Sequence, residues 1–556
     1  MVELVSQSGT PWSYGQKGYM ERLIDVDTIP KMLLGLQAEQ LHDQPSLTWY
    51  SEGSAKRSWN YAQLIHRVNA YAADISTRLG VSHGDRVLVI SANSPFVFLT
   101  HLAIMSLGAI TVPVGPNESP AVLRHIAKLV SPKLALLSSQ TDDALLQQLD
   151  VEGIPKHTIT SLNENPPSER REPPPVNPDD VAVIIFTSGT TSAPKGVTLS
   201  HYNLLSNAEG LKRSHHLEPG HVHGCVLPLY HSNAFGFSMV TSMYARSHVV
   251  LFTDSIGPGL WAGLQDMKVN VVSLVPNIIH LLAKRKPSSR ISETLKYVVS
   301  AAAPLPLRTL QEFEENVGIA IHQGYGLSEC TNFATTIPHN INPALRQHLM
   351  YNWQVPSIGT PLYGTDVNVI LPDGSPAKAE QEGEIVIQGH NIMKGYWSDP
   401  ASSSAAFEGG VFHSGDLGFF VEYQDWKYFF ITGRIKEIII RNGECMSPLH
   451  IERELIGLSR IGAYAVCGFP NDYCGEEIGL YVHSDKDEAI SEIEAMLSSC
   501  SSRYRPRMVV VGTQPVPTSV TGKVQRTKLK DFFAGGKSTF FGQPKIIRMK
   551  CAYEDL

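Results

Sequence analysis

Residues 181–196 read VAVIIFTSGTTSAPKG, an apolar run that passes directly into a loop of hydroxyl residues, glycines and one lysine. The apolar run has the pattern of a fully buried strand, so the loop leaves a strand end, where α/β proteins commonly bind ligands. Gly189 and Gly196 allow sharp turning and close approach of the backbone to a ligand. The hydroxyls are hydrogen-bond donors, and Lys195 adds a compact positive charge. The loop therefore suits a polyphosphate.

The phosphate loop of kinases and nucleotide hydrolases, G-x-x-x-x-G-K-[ST], does not describe this segment. Pro194 stands where that motif has the glycine before the lysine, and Gly196 stands where it has the hydroxyl residue that binds Mg²⁺. An ordinary surface loop can have the same Ser/Thr/Gly-rich composition. The rest of the chain has to distinguish these interpretations.

Bulk composition indicates a soluble protein of several domains, since 556 residues exceed one hydrophobic core. Charged residues make up 18% and apolar residues 42%, and the net charge of −7 argues against a nucleic-acid partner. Residues 1–16 lack a signal-peptide pattern, and residues 96–115 fit a buried helix and strand better than a membrane span. Scattered cysteines fit reduced thiols. We expect a cytoplasmic protein without an integral membrane segment.

Alternating helix and strand patterns fill the N-terminal part of the chain. The predicted elements are a helix (64–79), a strand (86–90), a helix (96–107), a strand (110–114), a helix (119–130) and a strand (133–138). Such alternation indicates right-handed crossovers and a largely parallel sheet.

The later part of the chain changes character twice. A proline-rich connector is predicted over 155–178, after which the alternation resumes from 181 to about 325. From 356, short alternating strands and turns indicate a β-rich subdomain that ends near 434. A small α+β domain is predicted over 435–556, so the fold class is α/β with a large N-terminal domain, 1–434, containing parallel sheets flanked by helices.

Six motifs in fixed order carry a family resemblance. They are TSGTTSAPKG (187–196), QGYGLSE (323–329), GEI leading to KGYW (383–397), HSGDLG (413–418), TGRIKE (432–437) and TGKVQR (521–526). Together they resemble the adenylate-forming superfamily of acyl-CoA synthetases, peptide-synthetase adenylation domains and luciferases, and they are most similar to acyl-CoA synthetases. Weaker matches at 59–64 and 108–114 extend the resemblance over nearly the whole chain.

The resemblance implies ATP-dependent activation of a carboxylic acid. The acid attacks the α-phosphate of ATP to give an acyl-adenylate and pyrophosphate, and a thiol then takes the acyl group. Charge develops on the phosphoryl oxygens, so catalysis depends on positioning and electrostatic stabilisation. The implied cofactors are ATP, Mg²⁺ and CoA, or the phosphopantetheine of a carrier protein in place of CoA.

Family roles can be carried to individual residues of this chain. Glu329 would hold Mg²⁺, Tyr325 would stack on adenine, and Asp416 would accept bonds from both ribose hydroxyls. Ser328 replaces the more usual threonine and keeps its hydroxyl. The implied nucleotide-binding residues are Thr187, Ser188, Gly189, Thr190, Thr191, Lys195, Ala302, Ala303, Pro304, Gln323, Gly324, Tyr325, Gly326, Ser328, Asp416, Arg434 and Lys523.

Two lysines have distinct implied roles. Lys436 occupies the family's hinge, where one residue absorbs the rotation of the mobile C-terminal domain. Lys523 would reach the acyl carboxylate and the α-phosphate during adenylation, a task for a mobile point charge. With Glu329, Ser328, Lys195 and His231, Lys523 completes the set of predicted catalytic residues.

The acid is predicted from the stretch Pro228–Phe235. Amino-acid-selecting relatives place an aspartate where His231 stands, and a histidine supplies no fixed negative charge for an ammonium group. Small residues in the matching stretches leave room for an alkyl chain, which favours a medium- or long-chain fatty acid, with an aryl acid as the alternative. The predicted pocket residues are His231, Phe235, Ala301, Gly326 and Phe333.

The acceptor is predicted to be the thiol of CoA. The interval between Asp416 and Gly433 is too short for the insertion that marks fatty-acyl-AMP ligases. The basic run from Lys523 to Lys550 could contact CoA phosphates or an acidic carrier protein. Asn442 departs from the usual Gly-Gly pair at the thiol channel, so a discrete acyl or peptidyl carrier protein stays open as acceptor. A non-catalytic nucleotide-binding relative would be expected to lack Glu329, Asp416 or Lys523.

Overall fold

A computed structural model describes residues 22–38, 41–164, 175–187, 194–254, 259–284, 291–486, 488–519, 522–539 and 543–549. The predicted phosphate-loop residues Ser188, Gly189, Thr190 and Thr191 lie outside this part of the chain, as do Thr521 and the proline-rich stretch 165–174.

The helices of the described residues, in chain order, are α1 (Ile29–Ala38), α2 (Tyr61–Thr77), α3 (Pro95–Ser106), α4 (Pro120–Val130), α5 (Asp143–Val151), α6 (His201–His215), α7 (Ser242–Tyr244), α8 (Leu260–Asp266), α9 (Pro276–Ala283), α10 (Leu307–Val317), α11 (Pro343–Tyr351), α12 (Pro400–Ala406), α13 (Pro448–Glu454), α14 (Ala489–Ser499) and α15 (Arg526–Leu529). A π-helical segment, Ala234–Thr241, leads into α7.

The strands of the described residues, again in chain order, are β1 (Pro45–Ser51), β2 (Ser54–Asn60), β3 (Arg86–Ile90), β4 (Ile110–Val114), β5 (Leu134–Leu137), β6 (Lys156–Thr158), β7 (Val181–Thr187), β8 (Lys195–Ser200), β9 (Val222–Cys225), β10 (His248–Phe252), β11 (Val271–Leu274), β12 (Tyr297–Ser300), β13 (Ala320–Tyr325), β14 (Thr335–Thr336), β15 (Thr360–Pro361), β16 (Thr365–Ile370), β17 (Gly383–Gly389), β18 (Gly395–Tyr396), β19 (Phe412–Tyr423), β20 (Trp426–Arg434), β21 (Ile439–Arg441), β22 (Glu444–Met446), β23 (Tyr464–Asn471), β24 (Gly475–His483), β25 (Met508–Gly512) and β26 (Lys545–Met549).

Two large sheets form the N-terminal part. One has seven strands in the order β18-β8-β7-β4-β3-β5-β6, of which β7, β4, β3, β5 and β6 run parallel. The other has nine strands in the order β15-β14-β13-β12-β11-β9-β10-β1-β2, with a parallel centre from β13 to β1. Strands β3, β4 and β7 are apolar on both faces because helices cover the sheet.

Two smaller sheets follow along the chain. Strands β16, β17, β19 and β20 form an antiparallel sheet, and β21 to β26 form a six-stranded mixed sheet. A separate apolar cluster, which includes Ile439, Ile451 and Val509, forms a hydrophobic core of the part that contains the six-stranded sheet. The predicted α/β fold class is therefore confirmed, with β-rich and small α+β parts in the predicted order. The boundaries at 434 and 435 stay a prediction.

The structure differs from the sequence prediction in the connector. Residues 156–158 form β6, which pairs in parallel with β5 at the edge of the seven-stranded sheet. This strand is three residues long and carries little apolar character, so no periodic pattern marked it. Residues 96–115 form α3 and β4 as predicted, and among the described residues no helix has the length and apolar character to cross a membrane.

Candidate active site

The candidate site lies where the parallel strands β12 and β13 end. Ser300 pairs with Gln323, so the segments 301–304 and 323–326 leave the sheet side by side. Ala302 has a φ of 71°, a left-handed conformation that is uncommon for a residue with a side chain. The predicted nucleotide-binding residues of these two segments therefore meet at the carboxyl edge of the sheet, which is where ligands bind in open α/β folds.

The ends of the phosphate loop are held in a hairpin. Thr187 pairs with Lys195 across β7 and β8, so the two ends of the predicted loop lie side by side. The His125 ring contacts the carbonyl oxygen of Pro194 at 2.9 Å, which ties the loop end to α4. Gly196 packs closely, because an added Cβ would lie 2.9 Å from Ile184 Cγ2. Thr187 and Lys195 thus flank the loop as predicted from the sequence.

Tyr396 links two predicted site residues. Its hydroxyl donates to Glu329 Oε1 at 2.9 Å, while Lys195 Nζ lies 4.7 Å from the centroid of its ring. Burial, followed by the Glu329 carboxylate, raises the pKa of Tyr396 well above its usual range, so the phenol stays a donor. Tyr396 is not among the site residues predicted from the sequence, and its position inside the matched motif KGYW was the available signal.

A strained turn follows Glu329. Thr331 has φ 66° and ψ −52°, and the amide of Asn332 donates to the carbonyl of Cys330 at 2.7 Å, which makes a γ-turn with positive φ. The Thr331 hydroxyl donates to the Asn391 carbonyl at 2.7 Å and holds this turn in place. A β-branched residue in this conformation stores strain of the kind found at functional sites.

Glycine is required opposite that turn. A Cβ on Gly326 would lie 2.1 Å from the carbonyl oxygen of Asn332 and 2.7 Å from the Cα of Phe333. The backbone of the turn therefore occupies the side on which a side chain at 326 would project. Ser328 donates to the Ser232 hydroxyl at 3.3 Å, which brings the Glu329 turn next to the predicted pocket segment.

Tyr325, Asp416 and Arg434 form one polar group in which Tyr325 and Asp416 are buried and Arg434 is partly exposed. The Tyr325 hydroxyl donates to Asp416 Oδ2 at 2.8 Å, and Arg434 Nε lies 2.9 Å from Asp416 Oδ1. Pairing of β19 with β20 places Asp416 directly opposite Arg434. Burial and the Asp416 charge raise the pKa of Tyr325, which keeps its hydroxyl a donor. The structure thus brings together three residues that the sequence predicted for the adenosine end of ATP.

Lys523, from the C-terminal part of the chain, is close enough to this group for its charges to act on the lysine. Burial and then the Arg434 charge lower the pKa of Lys523 to about 8, while Asp416 and Glu437 act in the opposite direction. The preceding Gly522 has a φ of 80° and packs on α9, since its Cβ would lie 2.8 Å from Asn277 Nδ2. Lys436 is exposed in a 3₁₀ turn, Ile435–Glu437, between β20 and β21.

The residues predicted for the acid pocket include buried aromatic rings and a neutral histidine. Burial lowers the pKa of His231 to about 4, and its Nε2 forms no hydrogen bond with any described residue. Phe235 and Phe333 are fully buried, and Phe333 makes an edge contact with Phe237 at 5.7 Å. Ala301 packs in the same apolar cluster as Phe237 and Phe333.

The arrangement fits a magnesium ion that arrives with its nucleotide. Within the described residues, no group of three or more His, Cys, Asp or Glu side chains could hold a metal. Mg²⁺ is commonly bound by one or two carboxylates together with substrate phosphates and waters. Glu329, buried and oriented by Tyr396, is a suitable single oxygen ligand next to the phosphate loop.

Together, the fold and the site define an adenylate-forming enzyme. The family model described as AMP-binding enzyme matches residues 35–397, and the chain belongs to this family. It is similar to a sulfoacetate–CoA ligase from Cupriavidus necator, with 30% identity over 89% of this chain and 96% of the relative. The long-chain-fatty-acid–CoA ligase FadD13 of Mycobacterium tuberculosis is 28% identical over 88% of this chain and 96% of the relative.

The chain is also similar to a ligase named for a different acid and to solved structures. A feruloyl-CoA synthase from Amycolatopsis is 28% identical over 85% of this chain and 94% of its own length. ATP-bound MatB from Rhodopseudomonas palustris has the same fold, with a TM-score of 0.77 and 24% identity over 91% of this chain and 99% of that chain. The predicted superfamily and the enzyme class, an AMP-forming acid–thiol ligase, are confirmed. The residue roles stay predictions.

Proposed function

We propose that the protein adenylates a carboxylic acid with ATP and transfers the acyl group to the thiol of CoA. The observation that carries the proposal is the hydrogen-bonded group of Tyr325, Asp416 and Arg434 at the carboxyl edge of the sheet. Gly522, which precedes Lys523, packs on Asn277, and the charges of Arg434 and Asp416 act on the pKa of Lys523. Names of the curated relatives, which are CoA ligases or synthetases for different acids, support the same reaction.

Each residue of this arrangement has a part in adenylation. Asp416 has lone pairs available for ribose hydroxyls, and the Arg434 contact at 2.9 Å holds its carboxylate in position. Lys195 and Lys523 supply positive charge where negative charge develops on the phosphoryl oxygens. Mg²⁺, when bound, neutralises phosphate charge, and Glu329 would hold it. Neutral His231 leaves the acid pocket uncharged.

A medium- or long-chain fatty acid is the proposed acid class. Support comes from the apolar walls that Phe235 and Phe333 provide, and from the similarity to a fatty-acid ligase. An aryl acid is the second candidate, because aromatic rings also favour stacking with an aromatic acid and a feruloyl-CoA synthase is comparably similar. A carrier-protein thiol is the alternative acceptor, for which the basic run beyond Lys523 offers positive charge.

The test is ATP–pyrophosphate exchange over a panel of fatty, aryl and amino acids, followed by thioester formation with CoA. We expect AMP and pyrophosphate in equal amounts, dependence on Mg²⁺, and no exchange with free amino acids. Stoichiometric ADP, or exchange with no acid in the panel, would contradict the proposal. Thioester formation with phosphopantetheinyl carrier protein but not with CoA would contradict only the acceptor.

A further inference from the structure

Asn233 is a buried amide without a partner. Its side chain is 6% exposed, and neither Nδ2 nor Oδ1 forms a hydrogen bond with any described residue. The residue has helical dihedral angles, φ −62° and ψ −56°, in the turn that leads into the π-helical segment Ala234–Thr241. It therefore lies inside the helix, and capping does not account for its buried side chain.

Asn332 lies on the facing segment and is also unpaired. It is 6% exposed, and its Nδ2 has no hydrogen-bond partner among the described residues. The amide packs against Gly236, where an added Cβ would lie 3.0 Å from Asn332 Cβ and 3.3 Å from Nδ2. Gly236 follows Asn233 by three residues, so Asn332 packs against the first turn of the segment that Asn233 precedes.

His231 adds a fourth unpaired polar atom, its Nε2, which has no partner within the described part of the chain. The bond between Ser232 and Ser328 joins the segment 231–233 to the turn that carries Glu329, and Asn332 follows that turn along the chain. We call His231, Asn233 and Asn332 the amide cluster. All three are uncharged at neutral pH, because burial lowers the pKa of His231 to about 4.

A neighbouring asparagine shows how a structural amide looks in this protein. Asn391 is 2% exposed; its Nδ2 donates to the carbonyls of Cys330 and Phe333, and its Oδ1 accepts from Thr365. Every polar atom of that side chain is satisfied within the fold. Asn233 is buried to a similar degree but has no polar side-chain atom paired with a described residue, and buried amides without partners are costly. The contrast indicates a ligand group as the partner of Asn233.

We propose that the amide cluster binds an uncharged hydrogen-bonding group, a hydroxyl, keto or amide oxygen, on the acid that is activated. The inference rests on the proposed acyl-CoA ligase function and narrows its substrate class. An amide both donates and accepts, so it pairs with such a group, whereas an unsubstituted alkyl chain would leave the amide unpaired. A distal anion or ammonium group would meet no opposite charge in the cluster.

The experiment compares matched acids, with and without a hydroxyl or keto group at successive positions, in aliphatic and aryl series. ATP–pyrophosphate exchange gives kcat/KM for the wild type, for Asn233→Leu and for the control Ser247→Ala. Ser247 is fully buried, its hydroxyl is unpaired among the described residues, and it begins the approach to β10, away from the cluster. Thermal unfolding of each variant verifies that it is folded.

In the wild type, we expect kcat/KM for an acid that carries the hydroxyl or keto group to be about 10- to 100-fold higher than kcat/KM for the matched acid without it. Asn233→Leu should lower kcat/KM for the substituted acid only, so that the ratio of the two kcat/KM values comes close to one. Ser247→Ala should leave this ratio unchanged. Wild-type preference for the unsubstituted acids, or equal loss on both members of a pair in Asn233→Leu, would overturn the inference while leaving the ligase function standing. If none of the acids supported ATP–pyrophosphate exchange, the proposed ligase function itself would be refuted.

Discussion

The hydroxyl of Tyr396 lies 2.9 Å from Oε1 of Glu329, and the same ring lies beneath the ammonium group of Lys195. One side chain thus orients the predicted magnesium ligand and contacts the cation that closes the phosphate loop. The hydroxyl acts on Glu329 and the ring face acts on Lys195, so a substitution that removes only the hydroxyl separates the two effects.

Tyr396→Phe should therefore weaken the binding of Mg²⁺ without weakening the binding of ATP. Loss of a hydrogen bond that orients a metal ligand typically lowers metal affinity by about 10-fold or more. We expect a rise of that size in the Mg²⁺ concentration for half-maximal exchange, with the KM for ATP unchanged at saturating Mg²⁺. Calorimetric titration of nucleotide binding with and without Mg²⁺ provides a second readout. Tyr396→Leu, which also removes the ring, should raise the KM for ATP as well.

Adenylation should lose activity in alkaline solution because of Lys523. Burial and the Arg434 charge lower its pKa to about 8, so the side chain is charged below pH 8 and neutral above it. We expect kcat/KM for exchange, which reports the free enzyme, to fall through a limb near pH 8. Lys523→Arg keeps its charge at all these pH values, so its residual activity should show no such limb. An identical limb in that variant would assign the titration elsewhere.

The sequence predicted the strand-and-helix alternation well because strands such as β3 and β4 are continuous apolar runs between turn signals. It predicted Tyr325, Asp416 and Arg434 as site residues only through motif resemblance. No local pattern states that residues so far apart along the chain form one hydrogen-bonded group. Pairing of β19 with β20 and the approach of β13 produce that contact.

The amide cluster could not be predicted for a related reason. An asparagine near a helix start is often a cap, and only the structure shows that Asn233 lies inside the helical turn with its side chain buried and unpaired among the described residues. From the sequence, the missing side chain of Gly326 suggests room for the substrate. In the structure, the backbone of Asn332 and Phe333 packs against the side of Gly326 from which a side chain would project. Whether space beside a small residue is open depends on what the remaining chain places there.

Gly326→Ala should destabilise the protein. The new Cβ would lie 2.1 Å from the carbonyl oxygen of Asn332. Because the Thr331 hydrogen bond holds the γ-turn that carries this oxygen, moving the oxygen away costs free energy. Overpacking of this kind costs about 1–3 kcal/mol of the free energy of unfolding. Urea unfolding measures it. Gly35→Ala is the control: no atom lies within 4 Å of its Cβ in α1, so we expect a gain of about 0.5–1 kcal/mol.

His231→Asp should reduce adenylation of uncharged acids by about 10-fold or more, because a carboxylate would be buried without a counter-charge. His231→Asn is the matched control, since asparagine has nearly the shape of aspartate but no charge, and it should retain more activity. Exchange rates with the best acid give the comparison. Equal rates for the two variants would remove charge as the reason for a neutral residue at this position.

Lys523 and Lys436 should act on different half-reactions. In this structure, Gly522 packs against Asn277 and the charges of Asp416 and Arg434 act on Lys523, an arrangement that we predict for the adenylation step. Thioester formation requires access for a thiol, which we expect the C-terminal domain to open by rotating about the exposed turn at Lys436. Rotation would carry Lys523 away from the acyl group.

Lys523→Ala should therefore lower adenylation by about 10²–10³-fold, the scale for losing one preorganised charge or donor, yet convert supplied acyl-adenylate into thioester at the wild-type rate. Lys436→Pro should do the reverse: proline fixes φ near −65°, a value that the 3₁₀ turn tolerates but that prevents a large change at the pivot. Lys436→Ala, which removes only the side chain, should affect neither step. Separate assays of exchange and of thioester formation from acyl-adenylate decide the matter. Equal damage to both steps in Lys523→Ala would mean that this lysine stays at the reacting centre throughout, and that the domain does not rotate about Lys436.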